Sequence, residues 1–83
     1  MGNKEDLPRI SRIQFEGVED YDFGERRSVM VLFAAVLPAG GELYVRLARA
    51  VDDKTFVEIH AAIEESGFEI VDRSKYYFRG LRT

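Results

Sequence analysis

The stretch RRSVMVLFAAVLP, Arg26 to Pro38, is the most apolar part of the chain, and its reading decides the fold. β-Branched and aromatic side chains favour a strand, charge precedes the run, and Pro38 closes it. A short run that is apolar in both phases does not separate strand from helix by periodicity, so a helix stays open as the second reading. Read as a strand, one phase holds Val29, Val31, Phe33, Ala35 and Leu37, and the other holds Met30, Leu32, Ala34 and Val36. Both faces are then apolar, and a single covering helix packs on only one of them.

Upstream, Glu19 to Glu25 (EDYDFGE) is acidic and rich in turn formers, so it reads as a connector between two strands. Before it, Arg9 to Val18 alternates, with Ile13 and Phe15 on one side and Arg12, Gln14 and Glu16 on the other. That is the pattern of a half-buried strand. Residues 1–8 are polar, end at Pro8, and read as a flexible tail ahead of a single domain over 9–83.

Downstream, Pro38 to Gly41 reads as a hairpin loop and Glu42 to Val51 as a further alternating strand, although Leu43, Leu47 and Ala50 also suit a helix. From about Lys54 to Ser66 the signals are helical. Asp52 or Asp53 can cap the start, Phe56, Ile59 and Ile63 form an apolar stripe, and Gly67 stands at the left-handed C-cap position. Phe68 to Gly80 returns as a strand, with Phe68, Ile70, Tyr76 and Phe78 in the core phase.

The expected fold is thus α+β: a two-layer sandwich with a mainly antiparallel four-stranded sheet and one helix on one face. The order is β-β-β-α-β, a ferredoxin-like variant lacking the first helix. Eighty-three residues make one domain with a thin stability margin, because a chain this small buries only about 60–65% of its unfolded surface. With no cysteine, disulfides and thiolate metal sites are excluded, which leaves a partner chain as the expected staple.

One helix leaves one sheet face open. Its expected apolar centre is Met30, Leu32, Ala34 and Val36, and its expected basic and aromatic rim is Tyr44, Arg46, Arg73, Lys75, Tyr77 and Arg79. An apolar patch with a polar rim suits an oligomer interface. The sequence therefore reads as a small non-enzymatic interaction or accessory module, homodimeric through the open sheet face. The same rim would suit a nucleic-acid-binding domain, with aromatics stacking bases and arginines holding phosphates. The net charge of −3 argues against that partner, and the aromatic-glycine motif of RNA-recognition domains is absent. A third reading uses residues 16–25 as a divalent-cation loop, with Asp20, Asp22 and Glu25 as ligands. The spacing is not that of an EF-hand.

Catalysis has little support in the sequence. His60, the only histidine, sits at the edge of the helix stripe with Glu64 one turn on, and reads as a boundary histidine. Ser11, Ser28, Ser66 and Ser74 lie in no nucleophile context, and Gly40-Gly41 is not a phosphate loop. No cofactor is expected. No apolar run is long enough to span a bilayer, and a cysteine-free chain suits a reducing cytoplasm. Asp6 stands where a myristoylation site has Ser or Thr. One Asn, one Gln and 33% charged residues suit a thermophile, and a GC-rich mesophile genome accounts for them as well.

Overall fold

The computed structural model describes residues 10–83; the expected tail over 1–8 lies outside them. The decisive stretch is a helix. Strand β1 (Arg12–Glu16) leads through a short 3-10 turn (Val18–Asp20) into helix α1 (Phe23–Val36). Strand β2 (Glu42–Arg46) and helix α2 (Asp53–Glu65) follow, then strands β3 (Phe68–Ser74) and β4 (Tyr77–Arg82). The sheet order is β1-β2-β4-β3.

The physical reason for α1 lies just outside the apolar run. Asp22 accepts a hydrogen bond from the Glu25 N–H at 2.8 Å, and Glu25 accepts one from the Asp22 N–H at 3.0 Å. This reciprocal capping box satisfies two orphan donors at the helix start. Past it, Arg26, Met30, Ala34 and Leu37 are buried at helical spacing. The antiparallel, one-helix, ferredoxin-like detail is therefore corrected. With a helix between them, β1 and β2 run parallel, Phe15 beside Val45, while β4 is antiparallel to both its neighbours. The molecule remains a small α+β fold, now with a mixed sheet and two helices.

Both helices cover the same face. Phe15, Val45 and Phe78 lie in one row across β1, β2 and β4. Phe33 of α1 meets Phe15 edge-on at 5.3 Å, and Phe56 of α2 lies 4.7 Å from Phe78. The fully buried Val18, Met30, Leu43, Val45, Ile59, Ile63 and Phe78 fill the space between the layers. Helix α2 matches its sequence signals: Asp52 caps it by accepting from the Thr55 N–H at 2.8 Å, and Gly67 takes the left-handed φ of 108° just past its end.

The expected strand over 68–80 is a hairpin, turning at Lys75-Tyr76. Among the described residues no helix is long and apolar enough to cross a membrane.

Candidate functional site

In open sheets with parallel strands, ligands bind beyond the carboxyl ends of those strands. Here that end is built by the turn after β1 and the loop after β2. Gly17 leaves β1 in the left-handed region at φ 90°, which a side chain would resist, and its N–H donates to the Arg46 carbonyl at 3.1 Å. Val18 is fully buried and anchors the turn. Arg26, on the first turns of α1 and only 8% exposed, reaches back to it. Its Nε donates to the Val18 carbonyl at 3.2 Å, its Nη2 to the Glu19 carbonyl at 3.4 Å, and its Nη1 lies 3.5 Å from Glu58 on α2.

This frame fixes Glu19. Its Oε2 accepts from the Arg49 backbone N–H at 3.1 Å, and its Oε1 is buried with no hydrogen-bond partner. Buried polar atoms are otherwise paired, so this shielded carboxylate oxygen is an exception in the fold. The Arg49 guanidinium pairs with Asp20, and Tyr21 packs edge-on against Phe15 at 5.5 Å, closing the turn onto the sheet. Neither Glu19, Arg26 nor Arg49 was a sequence candidate. The Asp22-x-x-Glu25 box was the signal that would have turned Arg26 inward.

The carboxylates expected to hold a cation are used otherwise. Asp22 and Glu25 form the cap of α1, and Asp20 is held by Arg49. Among the described residues no three His, Cys, Asp or Glu side chains cluster in a way that could hold a metal ion.

The sheet face away from the helices is open and polar. Tyr44 and Tyr77 stack at 5.5 Å, and the Tyr77 hydroxyl donates to Asp72 at 2.8 Å, which raises the Tyr77 pKa above its ordinary value. Glu42 pairs with Arg79 and with Arg12, the latter at 2.8 Å; the hydrogen bond from Arg79 is the largest cause holding its carboxyl below the usual range. The same bond raises Arg79. Arg46 lies 3.5 Å from Glu16, and a groove of about 440 Å³ runs along Arg12, Gln14, Phe15, Glu16, Tyr44 and Arg46.

Of the expected rim, Tyr44, Arg46, Tyr77 and Arg79 share this face; Arg73 and Lys75 do not. A bulge between Ile70 and Asp72 shifts the phase of β3, and Arg73 turns to α2, where its Nη1 sits 2.8 Å from His60 Nε2. Arginine only donates, so Nε2 accepts and Nδ1 carries the proton toward Glu64, 3.3 Å away. Lys75 lies in the turn with its ammonium over the Tyr76 ring. The expected apolar centre is not on the sheet: Met30 and Ala34 are core, while Leu32 and Val36 are exposed on α1. The open face thus has no apolar centre, and its arginines already have carboxylate partners, which leaves little free positive charge for phosphates.

No protein-family profile and no curated protein matches this sequence. Solved structures do match its fold. An O-methyltransferase family 2 protein from Planctomyces limnophilus DSM 3776, solved in complex with apigenin, superposes with a TM-score of 0.77 at 12% identity, over 93% of this chain and 31% of that one. A fibrillarin pre-rRNA processing protein from Methanococcus jannaschii gives 0.66 at 17% identity, over 94% and 39%. A candidate DNA modification methylase from Thermus thermophilus gives 0.59 at 14% identity, over 94% and 47%. This chain spans less than half the length of each. The likeness is of fold, and the fold is one used by methyl-transfer proteins. It overturns the expectation of a non-enzymatic interaction or accessory module dimerising through the open sheet face.

Proposed function

We propose that this chain takes part in methyl transfer and supplies the acceptor side of the reaction site, at the carboxyl ends of β1 and β2. The observation that carries this reading is the arrangement β-α-β-α-β-β in the order β1-β2-β4-β3, matched over nearly the whole chain by an O-methyltransferase and a candidate DNA methylase. The unpartnered Oε1 of Glu19 at that end of the sheet supports it.

A methyl donor is implied by such a role, and the described residues do not fit one. The turn after β1 has a single left-handed glycine followed by Val18, Glu19 and Asp20, not a glycine-rich loop opening onto a helix N-terminus. What this chain's own residues do is narrower. Glu19 Oε1, shielded in this conformation, orients an acceptor hydroxyl or amine and takes its proton when acceptor binding uncovers it; Arg49 N–H holds Oε2; Arg26 ties the turn to α1. A reducing cytoplasm suits this cysteine-free chain.

The test is methyl incorporation from labelled S-adenosylmethionine into a flavone, RNA and DNA, using the protein purified from its source with whatever chains accompany it. Transfer to one acceptor that falls by about 10²–10⁴ in Glu19→Gln, the range of a positioned base, is the expected result. Transfer to none of them, or transfer indifferent to Glu19→Gln, overturns the reading.

A further inference from the structure

The two edges of the sheet differ. The outer edge of β3 carries the bulge at Ile70/Asp72, a device that spoils pairing. The outer edge of β1 has no bulge and no proline. The Gly17 N–H donates to the Arg46 carbonyl, and the Ser11 carbonyl accepts from Glu42 N–H. Odd-numbered residues of β1 therefore face β2, so the N–H and C=O groups of Arg12, Gln14 and Glu16 point outward.

Helix α1 adds an apolar wall on the same side. Arg27, on one flank, pairs with Glu65 of α2; Phe33, on the other, lies over Phe15 of β1. Val36, three residues on from Phe33, lies on the Phe33 flank and is 46% exposed, and Leu32, 59% exposed, sits one turn before it on the outer face of α1. Ile10, 52% exposed, joins Val36 in lining an apolar groove of about 330 Å³.

We propose that a second copy of this chain occupies that edge, with β1 pairing antiparallel to the partner's β1 about a two-fold axis through Gln14. The sequence of β1, RIQFE, is self-complementary in that register. Arg12 stands opposite the partner's Glu16, Glu16 opposite the partner's Arg12, and Ile13 opposite the partner's Phe15. The charge row on the open face then alternates without a break: Arg46, Glu16, the partner's Arg12, the partner's Glu42. The two four-stranded sheets become one, and the exposed flank of α1 turns toward its counterpart. This surface is not the open sheet face, and it leaves the carboxyl-end loops free. It does not depend on the methyl-transfer reading.

Because the chain has no cysteine, Gln14→Cys carries a single thiol. An outward-pointing self-paired residue on the axis has a Cα separation of about 5.5 Å, inside the disulfide range. Mild oxidation is expected to link the variant into a dimer of the same mass as the wild-type dimer, while Val57→Cys, on the exposed side of α2, stays unlinked. Arg12→Glu and Glu16→Arg are each expected to weaken dimerisation by about tenfold or more, since both cross-axis contacts become like-charged. Mixed in equal amounts, the two folded variants regain opposite charges at both contacts and form a mixed dimer, which mere destabilisation cannot produce. A monomeric wild-type protein, a dimer that Gln14→Cys does not link, or a mixture that stays monomeric overturns the proposal. A different polypeptide seated on β1 overturns it too, while leaving the methyl-transfer reading intact.

Discussion

Arg26→Ala tests the frame beneath the proposed site. Arg26 is a charged residue buried to 8% exposure, and its side chain ties the turn after β1 to α1. Both hydrogen bonds, at 3.2 and 3.4 Å, are longer than the usual 2.9–3.0 Å, so about 0.5–1 kcal/mol each is the fitting magnitude. The Val18 carbonyl also accepts from Tyr21 N–H, so it is not orphaned by the change. Losing two buried methylenes costs a further ~1.6 kcal/mol. The Glu58 pair adds little, because Glu58 is a third exposed and such pairs contribute about 0–1 kcal/mol. The sum is a loss of about 3 kcal/mol, large against the ~5–15 kcal/mol of a typical domain. Urea unfolding followed by circular dichroism should show the midpoint falling with an unchanged slope. Arg26→Lys, which keeps the stem and the charge but not the fork, should recover about half of the ~3 kcal/mol. A loss below about 1 kcal/mol in Arg26→Ala would refute the reasoning, because buried anchors of this kind do not come so cheaply.

Met30→Ala should cost about 2–5 kcal/mol in urea unfolding, as a fully buried side chain, while Val31→Ala next to it should stay within about 0.5 kcal/mol. Asp22→Ala should lower stability by about 0.5–2 kcal/mol through loss of the α1 cap; millimolar calcium should leave the melting temperature of the wild type unmoved, because the loop carboxylates already have partners. Glu42, with its folded pKa below the ordinary 4.5, adds stability that is present above pH 4.5 and lost as pH falls through the folded value, since the unfolded chain takes up the proton first. The stability gap between wild type and Glu42→Gln should therefore close on acidification, as melting temperatures between pH 7 and pH 3 will report.

What the sequence made legible was local. Helix α2 was readable because cap, stripe and C-terminal glycine agree, and β1 and β2 were readable from alternation. The error sat at Arg26–Pro38, where an all-apolar run carries no period. The stripe Arg26-Met30-Ala34-Leu37 becomes visible only if an arginine is counted as core, and the Asp22–Glu25 box lies in residues that read as a loop. From that one exchange of strand for helix the rest follows: β1 and β2 turn parallel, the interface set Met30, Leu32, Ala34, Val36 splits between core and solvent, and the carboxyl ends of β1 and β2 come to lie side by side. The second miss has a smaller cause. The β3–β4 turn at Lys75-Tyr76 contains neither glycine nor asparagine, so 68–80 read as one strand, and the bulge at Ile70/Asp72 then moved Arg73 to the helix side. Tyr44 and Arg46 kept their expected face because no break interrupts β2, and Tyr77 and Arg79 kept theirs because the turn at Lys75-Tyr76 restores the phase that the bulge had shifted.

Helix α1 crosses between β1 and β2 so that the two strands run parallel, and the likeness of fold to the solved O-methyltransferase structure rests on that crossing. Nuclear magnetic resonance of the isotopically labelled chain tests it directly. The expected result is sequential amide–amide contacts through Phe23–Val36 and cross-strand contacts joining Phe15 to the Val45 region in parallel register. Extended-strand contacts over residues 29–37, paired antiparallel with 43–51, would contradict it and take the functional proposal with them.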